Sequence, residues 1–442
     1  MKLLQIAYYY PPMGGAGVQR ALKFSKYLGD FGVQTVVLAA HDPTYTADAS
    51  LLQELPAGLK VHRIEYRPLM QRLLAWRGQL RRAGTRGSQA AGQPAAAPSA
   101  FRTRLRDTVL SAYTALQFPD DKAGWARRAF EQARAIVRDE GIELILSSAP
   151  PMSSHLLASR LSRACGVPWV ADYRDLWTDN PDYAAPTWRR GLDRRREAAW
   201  LASAAGIVAV TPSMQQALGR RVRAGCPVAL LPNGYDEADF TAIQPAPVEQ
   251  GTCRIVHAGT FYGRRSPLSL LAAAESLLVR EPALTTRLRL RFVGLVGARF
   301  DPMLDRFALQ FPGVLERTGF VEHRSAVAEV LAADLLLLMI GGGPEARGVL
   351  SGKVFEYLRA GRPVLLIGPA DGDAAQLLRS HARCSVAEEG DTAGIGRAIA
   401  AALAGAPWPP LPIGAAPERF ERRELTRQLA DILRTCRKPR DG

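Results

Sequence analysis

Residues 348–367 read GVLSGKVFEYLRAGRPVLLI, and the fold follows from them. Ser351 and Gly352 stand where a helix N-cap belongs, and Lys353 opens the first turn. Val354, Phe355 and Leu358 give that helix an apolar side. Gly361 stops it, and Pro363 to Ile367 is a short strand run. A loop that ends at a helix N-terminus presents unpaired backbone N–H groups and the positive end of the helix dipole, which together suit a phosphate. Glu356 lies one turn further in, where a carboxylate can accept hydrogen bonds from the vicinal hydroxyls of a ribose. Taken alone, the same spacing fits an ordinary helix-to-strand connection with a solvated glutamate.

The alternation extends in both directions. Upstream, Leu3 to Tyr8 reads as a strand. Pro11-Pro12, Gly14, Gly15 and Gly17 follow, then a helix through Leu28 and a second strand at Val33 to Ala39. This βαβ opening has a glycine-rich turn but is not the dinucleotide fingerprint. Arg20 replaces the third glycine, and no acidic residue ends the second strand. Helices and strands alternate again from Ala123 to Leu231, with loops at 147–151 and 172–179. They alternate a third time from Cys253 onward, through the strands 288–294, 314–318 and 335–340. The expected fold class is α/β: two doubly wound Rossmann-like domains facing across a cleft. The ligand sites are expected beyond the carboxyl ends of the strands.

Bulk properties narrow the function. A chain of 442 residues with 47% apolar content fits two packed domains. The longest apolar run, Leu335 to Ile340, is far short of the roughly 20 residues a membrane span needs. Five scattered cysteines argue against a disulfide framework or a zinc cluster, and no metal ligand set is expected. Lys353 is followed by Val354, so there is no ATPase P-loop. No order of Ser, His and Asp is persuasive for a hydrolase. The net charge is +15. No nucleic-acid motif accompanies it, so anionic substrates and anionic membrane surfaces are the expected partners, beside the plain effect of an Arg-rich composition. The block Lys60 to Arg106 holds eleven Lys/Arg and one acid, Glu65. Within it Leu69, Leu73, Trp76 and Leu80 recur at helical spacing. That pattern fits a helix on a membrane surface, or equally one packed on the domain with a solvated basic face. Residues 84–100 read as a flexible loop.

Six stretches, in order, carry a family resemblance. They are Pro11-Pro12-x-Gly14-Gly15-x-Gly17, Asp172-Tyr-Arg174-Asp175-x-Trp177, Leu231-Pro-Asn233-Gly234, Gly259-x-Phe-Tyr-Gly263-Arg264-Arg265-Ser266, Gly319-Phe320-Val321 and Ser351-Gly352-Lys353-Val-Phe-Glu356. Over nearly its whole length the chain resembles the family-4 retaining glycosyltransferases of the GT-B fold. The resemblance implies an acceptor-side domain at 1–238, a linker at 239–251 and a nucleotide-sugar-binding domain at 252–415. A final helix at 416–442 would cross back. It implies transfer of a sugar from a UDP- or GDP-linked donor with retention, and without a cofactor or an obligatory metal.

Residue by residue, the resemblance places Gly15, Gly17, Arg264, Phe320, Ser351, Gly352 and Glu356 against the donor. Arg265, Lys353 and Asp175 are the expected catalytic residues, and Asp172, Arg174 and His155 are expected on the acceptor side. Asp172, Arg174 and Asp175 could instead form an intradomain salt bridge, and His155 reads more readily as a packed or solvated histidine than as an acceptor contact. The family's usual first glutamate falls at Gly348. The expected acceptor is a lipid-linked saccharide in bacterial surface polysaccharide assembly. The expected location is the cytoplasm, peripheral on the inner face of the plasma membrane. Two alternatives stand beside this: a sugar-nucleotide epimerase of the same fold, and a non-catalytic scaffold on a decayed transferase.

Overall fold

The structure, a computed structural model, describes residues 1–67, 117–180, 183, 185–261 and 265–437. The expected basic helix at 69–80, the expected loop at 84–100 and Arg264 lie outside the described residues. The chain forms two compact units. The first holds 1–209, 215–230 and 426–442, and the second holds 210–214 and 231–425. The expected linker, 239–251, is therefore grouped with the second unit.

The first unit is built on seven parallel strands: β1 (Lys2–Ala7), β2 (Gln34–His41), β3 (Lys60–Glu65), β4 (Leu144–Ala149), β5 (Trp169–Tyr173), β6 (Gly206–Ala209) and β7 (Val228–Leu230). Their order is β3-β2-β1-β4-β5-β6-β7. The connecting helices are α1 (Ala16–Tyr27), α2 (Ala123–Asp139), α3 (Ser153–Cys165), α4 (Thr187–Leu201) and α5 (Pro212–Gly219). Strands β1 and β4 are buried along almost their whole length, as a sheet covered on both faces requires. Two sequence-based expectations change here. Lys60 to Glu65 is the edge strand β3, not the start of an irregular insertion. Ser147 to Ala149 extends β4 rather than forming a loop, because it pairs with Ala171 to Tyr173 of β5.

The second unit has six parallel strands: β8 (Cys253–Ala258), β9 (Leu288–Val293), β10 (Leu315–Gly319), β11 (Leu335–Met339), β12 (Val364–Ile367) and β13 (Cys384–Ala387). Their order is β10-β9-β8-β11-β12-β13. The helices are α6 (Leu268–Arg280), α7 (Asp301–Gln310), α8 (His323–Leu331), α9 (Lys353–Ala360), α10 (Asp373–His381) and α11 (Thr392–Leu403). Along β11 the side chains alternate between two cores. Leu335, Leu337 and Met339 enter one, and Leu336 and Leu338 enter the other. That period of two is why the run reads as uninterrupted leucine. Helix α7 and strand β13 are additions to the sequence reading; β13 is a partly buried edge strand too short to show a period of two. The last helix, α12 (Arg422–Arg437), starts in the second unit and from residue 426 belongs to the first.

One buried ion pair orders the first unit. Arg20 of α1 donates to both carboxylate oxygens of Asp172 on β5, at 2.8 to 3.1 Å. Ser148 of β4 donates to the same carboxylate at 2.9 Å. Both charges are almost fully buried. Burial alone would raise the Asp172 pKa, but Arg20 and the Ser148 hydrogen bond outweigh it and hold the carboxyl below its usual range. Removing one member of a buried pair strands the other charge. Asp172→Asn should therefore destabilise the first unit by about 3–5 kcal/mol. Denaturant unfolding followed by circular dichroism measures this, and an unchanged midpoint would show that the pair contributes nothing.

Candidate functional site

Both sheets change winding direction once. In the second unit the change falls between β8 and β11, whose successors lead to opposite edges. Here the pairing is short: only Leu335 with Ile255 and Leu336 with Val256. Strands β8 and β9, by comparison, pair along six positions. Beyond Val256 the two strands part, and their next polar groups need other partners. The Leu337 carbonyl lies 2.9 Å from His257 Nδ1 and accepts from the Tyr357 hydroxyl at 3.3 Å. That hydroxyl in turn accepts from the Ala258 N–H at 3.0 Å. Tyr357 thus bolts α9 into the open seam. Its neighbours Val354, Phe355 and Leu358 bury the rest of the helix's apolar side.

With α9 fixed this way, its first turn stands over the seam. Gly352 occupies the N-cap, and Ser351 Oγ accepts from the Lys353 N–H at 3.4 Å. The Lys353 ammonium lies 3.9 Å from the Glu356 carboxylate. The other Glu356 oxygen meets His323 Nε2 at 3.2 Å, and His323 Nδ1 lies 3.9 Å from Asp239. Burial would raise the Glu356 pKa, but the charges of Lys353, His323 and Arg422 and the His323 hydrogen bond bring it down to about 2. The carboxylate is therefore ionised and acceptor-only at neutral pH. Its side chain keeps 19% exposure, enough to meet a hydroxyl.

The loop after β8 forms the other wall. Phe261 is fully buried against Phe292 and pins the loop into the core, with its ring 4.2 Å from the His257 ring. A Cβ built on Gly259 would lie 3.2 Å from His257 Nε2 and 3.8 Å from Lys353 Cε. The absence of a side chain at Gly259 therefore keeps the space between them open. Burial, with Lys353 and Arg265 nearby, lowers the His257 pKa to about 4 against its carbonyl hydrogen bond. The imidazole is neutral, and the Arg265 and Lys353 charges both act on it. Phe320, just beyond β10, is 68% exposed and offers a ring face. Gly348 is hemmed in: a Cβ there would lie 3.3 Å from Ser213 Cβ, and Ser213 is itself held by Asp373. A side chain at 348 would press lightly on Ser213.

Arg265, Phe320, Ser351, Gly352, Lys353 and Glu356 thus all belong to the second unit. Gly15 and Gly17, expected on the donor with them, belong to the first. Gly15 has φ +88° at the N-terminus of α1, a conformation that favours glycine. Gly17 sits with its carbonyl under Arg174.

The acceptor-side expectations change. Arg174 donates to the carbonyls of Ala149, Gly17 and Pro150, and so ties the end of β4 to the first turn of α1. Asp172 is committed to Arg20 and Ser148. His155 is wholly interior, with Nδ1 2.8 Å from Ser147 Oγ and its ring 4.5 Å from that of Tyr173. Burial lowers its pKa to about 3. Neither Asp172 nor His155 has surface to offer a ligand. Asp175, in contrast, is exposed on the wall of a cavity of about 470 Å³ within the first unit. Tyr9, Asp121, Pro150, Trp177 and Asp193 line it as well.

His323, His257 and Tyr357 were not picked out from sequence. His323 follows Gly319-Phe320-Val321 closely but meets Glu356 across 33 positions. The only local signal for His257 is a histidine in the otherwise buried strand CRIVHA.

Comparison with known proteins agrees with this architecture. Residues 90–239 match the family model described as Glycosyltransferase Family 4. No curated protein matches the sequence. Among solved structures, HepE of Anabaena, recorded with UDP, superposes with a TM-score of 0.60 at 15% identity, over 98% of this chain and all of that one. Sucrose-phosphate synthase of Thermosynechococcus elongatus gives 0.60 at 15% identity, covering 98% and 94% of the two chains. The lipopolysaccharide outer core galactosyltransferase WaaB gives 0.55 at 11%, covering 98% and 99%. These likenesses show the fold, two Rossmann-like domains of the GT-B class.

The His323–Glu356 contact makes a pH prediction. Burial would lower the His323 pKa, but the Glu356 hydrogen bond and the charges of Glu356 and Asp239, opposed by Lys353, raise it overall. A raised folded value means the contact stabilises fully below the unfolded pKa, about 6.5, and fades as pH climbs through the folded value. His323→Gln should therefore cost on the order of 1 kcal/mol near pH 5.5–6 and progressively less as the pH rises through the folded value of His323. Thermal unfolding of both proteins from below the unfolded value upward measures it, and a pH-independent gap would contradict the assignment.

Proposed function

We propose that the protein is a glycosyltransferase that moves a sugar from a nucleotide-sugar donor to an acceptor. The observation that carries this reading is the group assembled at the β8–β11 seam. An ionised carboxylate, Glu356, stands one turn inside a helix whose N-terminus, Lys353 and Arg265 form a cationic end. A ribose needs the first and a diphosphate the second. The family-model match over 90–239 and the UDP recorded with HepE support the same assignment.

The chemistry follows from the charges. Cleaving the bond between sugar and nucleotide leaves a diphosphate, and negative charge grows on its oxygens. Fixed cations and N–H groups aimed at those oxygens stabilise the transition state. Losing one such group typically costs about 100–1000-fold in rate. Arg265, Lys353 and the first-turn amides of α9 fill that role. Glu356 accepts from the ribose hydroxyls, and Phe320 offers its ring to the base. Asp175, on the wall of the first unit's cavity, faces the acceptor, and that cavity's aromatic rings and carboxylates suit a saccharide. Retention at the anomeric carbon, independence of metal and a lipid-linked acceptor in surface polysaccharide assembly extend the proposal, on the motif resemblance.

The test is a panel of UDP, GDP, ADP, dTDP and CMP against thermal unfolding. A nucleotide present at about 100 times its dissociation constant adds roughly 2.7 kcal/mol of stability. UDP or GDP should raise the unfolding temperature, and Glu356→Ala should remove most of that rise. Silence across the panel would refute the donor site. Turnover of a bound nucleotide sugar without any acceptor would favour the epimerase reading instead.

A further inference from the structure

Helix α4 has two faces with opposite characters. On the inner face Arg189, Asp193, Glu197 and Trp200 are buried, and Arg189 and Asp193 help line the first unit's cavity. The Arg189–Asp193 pair is closed at 2.7 Å. On the outer face, Trp188 is 67% exposed and Leu192, one turn on, is 38% exposed. Arg195 continues the same stripe and is also exposed. The only acids of α4, Asp193 and Glu197, are both buried, so the helix's own exposed charges are all positive. Helix α3 packs beside α4 and contains no acid. It adds exposed Arg160 and Arg163.

From this we infer that the outer face of α4, with the arginines of α3, docks on an anionic phospholipid surface. Two large apolar side chains at i and i+4, flanked by arginines, match an interfacial helix; the Asp179 carboxylate beside the helix is paired to Arg194 at 2.6 Å. The tryptophan and leucine enter the headgroup boundary, and the arginines meet lipid phosphates. An acidic protein would satisfy the arginines but leaves the protruding Trp188 without a stated counterpart, so a bilayer is the better match to both features. The geometry also links the surface to chemistry. The cavity lies directly behind the same helix turns, so an acceptor anchored in the bilayer brings its headgroup to the cavity without leaving the membrane. That link rests on the transferase reading, but the docking surface does not.

Vesicle flotation tests it with the full-length protein. Vesicles of phosphatidylcholine with phosphatidylglycerol should bind the protein at low salt and release it as salt rises, whereas pure phosphatidylcholine should bind far less. Trp188→Ser with Leu192→Ser should weaken binding about tenfold. Arg195→Glu should weaken it by about fivefold or more. All three side chains are exposed, so both variants should keep the wild-type unfolding temperature and its rise with UDP. Absence of vesicle binding by the wild type would overturn the inference. So would full binding by both variants, or binding lost on Arg81→Glu with Arg82→Glu but retained in the α4 variants. Vesicle binding without any nucleotide-dependent rise would leave the surface standing and remove the donor reading alone.

Discussion

The parting of β8 and β11 is the constraint on which the second unit's site depends. Parallel strands that lead to opposite sheet edges leave a crevice at their carboxyl ends. A crevice inside a core exposes backbone groups that must find partners. Here the partners are side chains: the Tyr357 hydroxyl bridges Ala258 N–H and Leu337 C=O, and the His257 ring shares that carbonyl. Because Tyr357 is part of α9, the repair of the seam also fixes the helix. The positions of Lys353 and Glu356 are thus consequences of a backbone hydrogen-bond requirement.

The first unit solves the equivalent problem with charge. Its winding reverses between β1 and β4. Arg174 gathers three carbonyls there, from the end of β4, the residue after it and the first turn of α1, and Arg20 and Asp172 lock α1 to β5. The motif Asp172-Tyr-Arg174-Asp175 therefore divides by direction. Alternate residues of a strand point to opposite sides, and beyond the strand's end the chain turns outward. Asp172 on β5 is structural, Arg174 is a clasp, and only Asp175 reaches the cavity.

Much of this was legible in the sequence. The α/β alternation, the cap at Gly352 and the turn of Glu356 behind it are local features, and local features can be read from spacing. The exceptions have physical causes. Strand β3 was hidden because Lys60 to Glu65 is a half-buried edge with mixed polarity. The interior position of His155 stayed undecided in sequence because a histidine that meets Ser147 and packs against the Tyr173 ring looks no different there from a solvated one. His323 was missed because its partner lies 33 positions away, and no periodicity reports a contact at that range. Gly348 shows the reverse case. It stood out in sequence as a missing carboxylate, and the structure places it close to Ser213.

The central claim is that Glu356 holds the ribose of a nucleotide donor. Calorimetric titration of UDP against its 2′,3′-dideoxy analogue tests it most directly. A buried acceptor left without its donors costs about 1–3 kcal/mol, and more when the acceptor is charged. The account predicts that UDP binds at least about tenfold more tightly than the analogue, and that Glu356→Ala abolishes this preference. Equal affinities for the two nucleotides in the unaltered protein would contradict it.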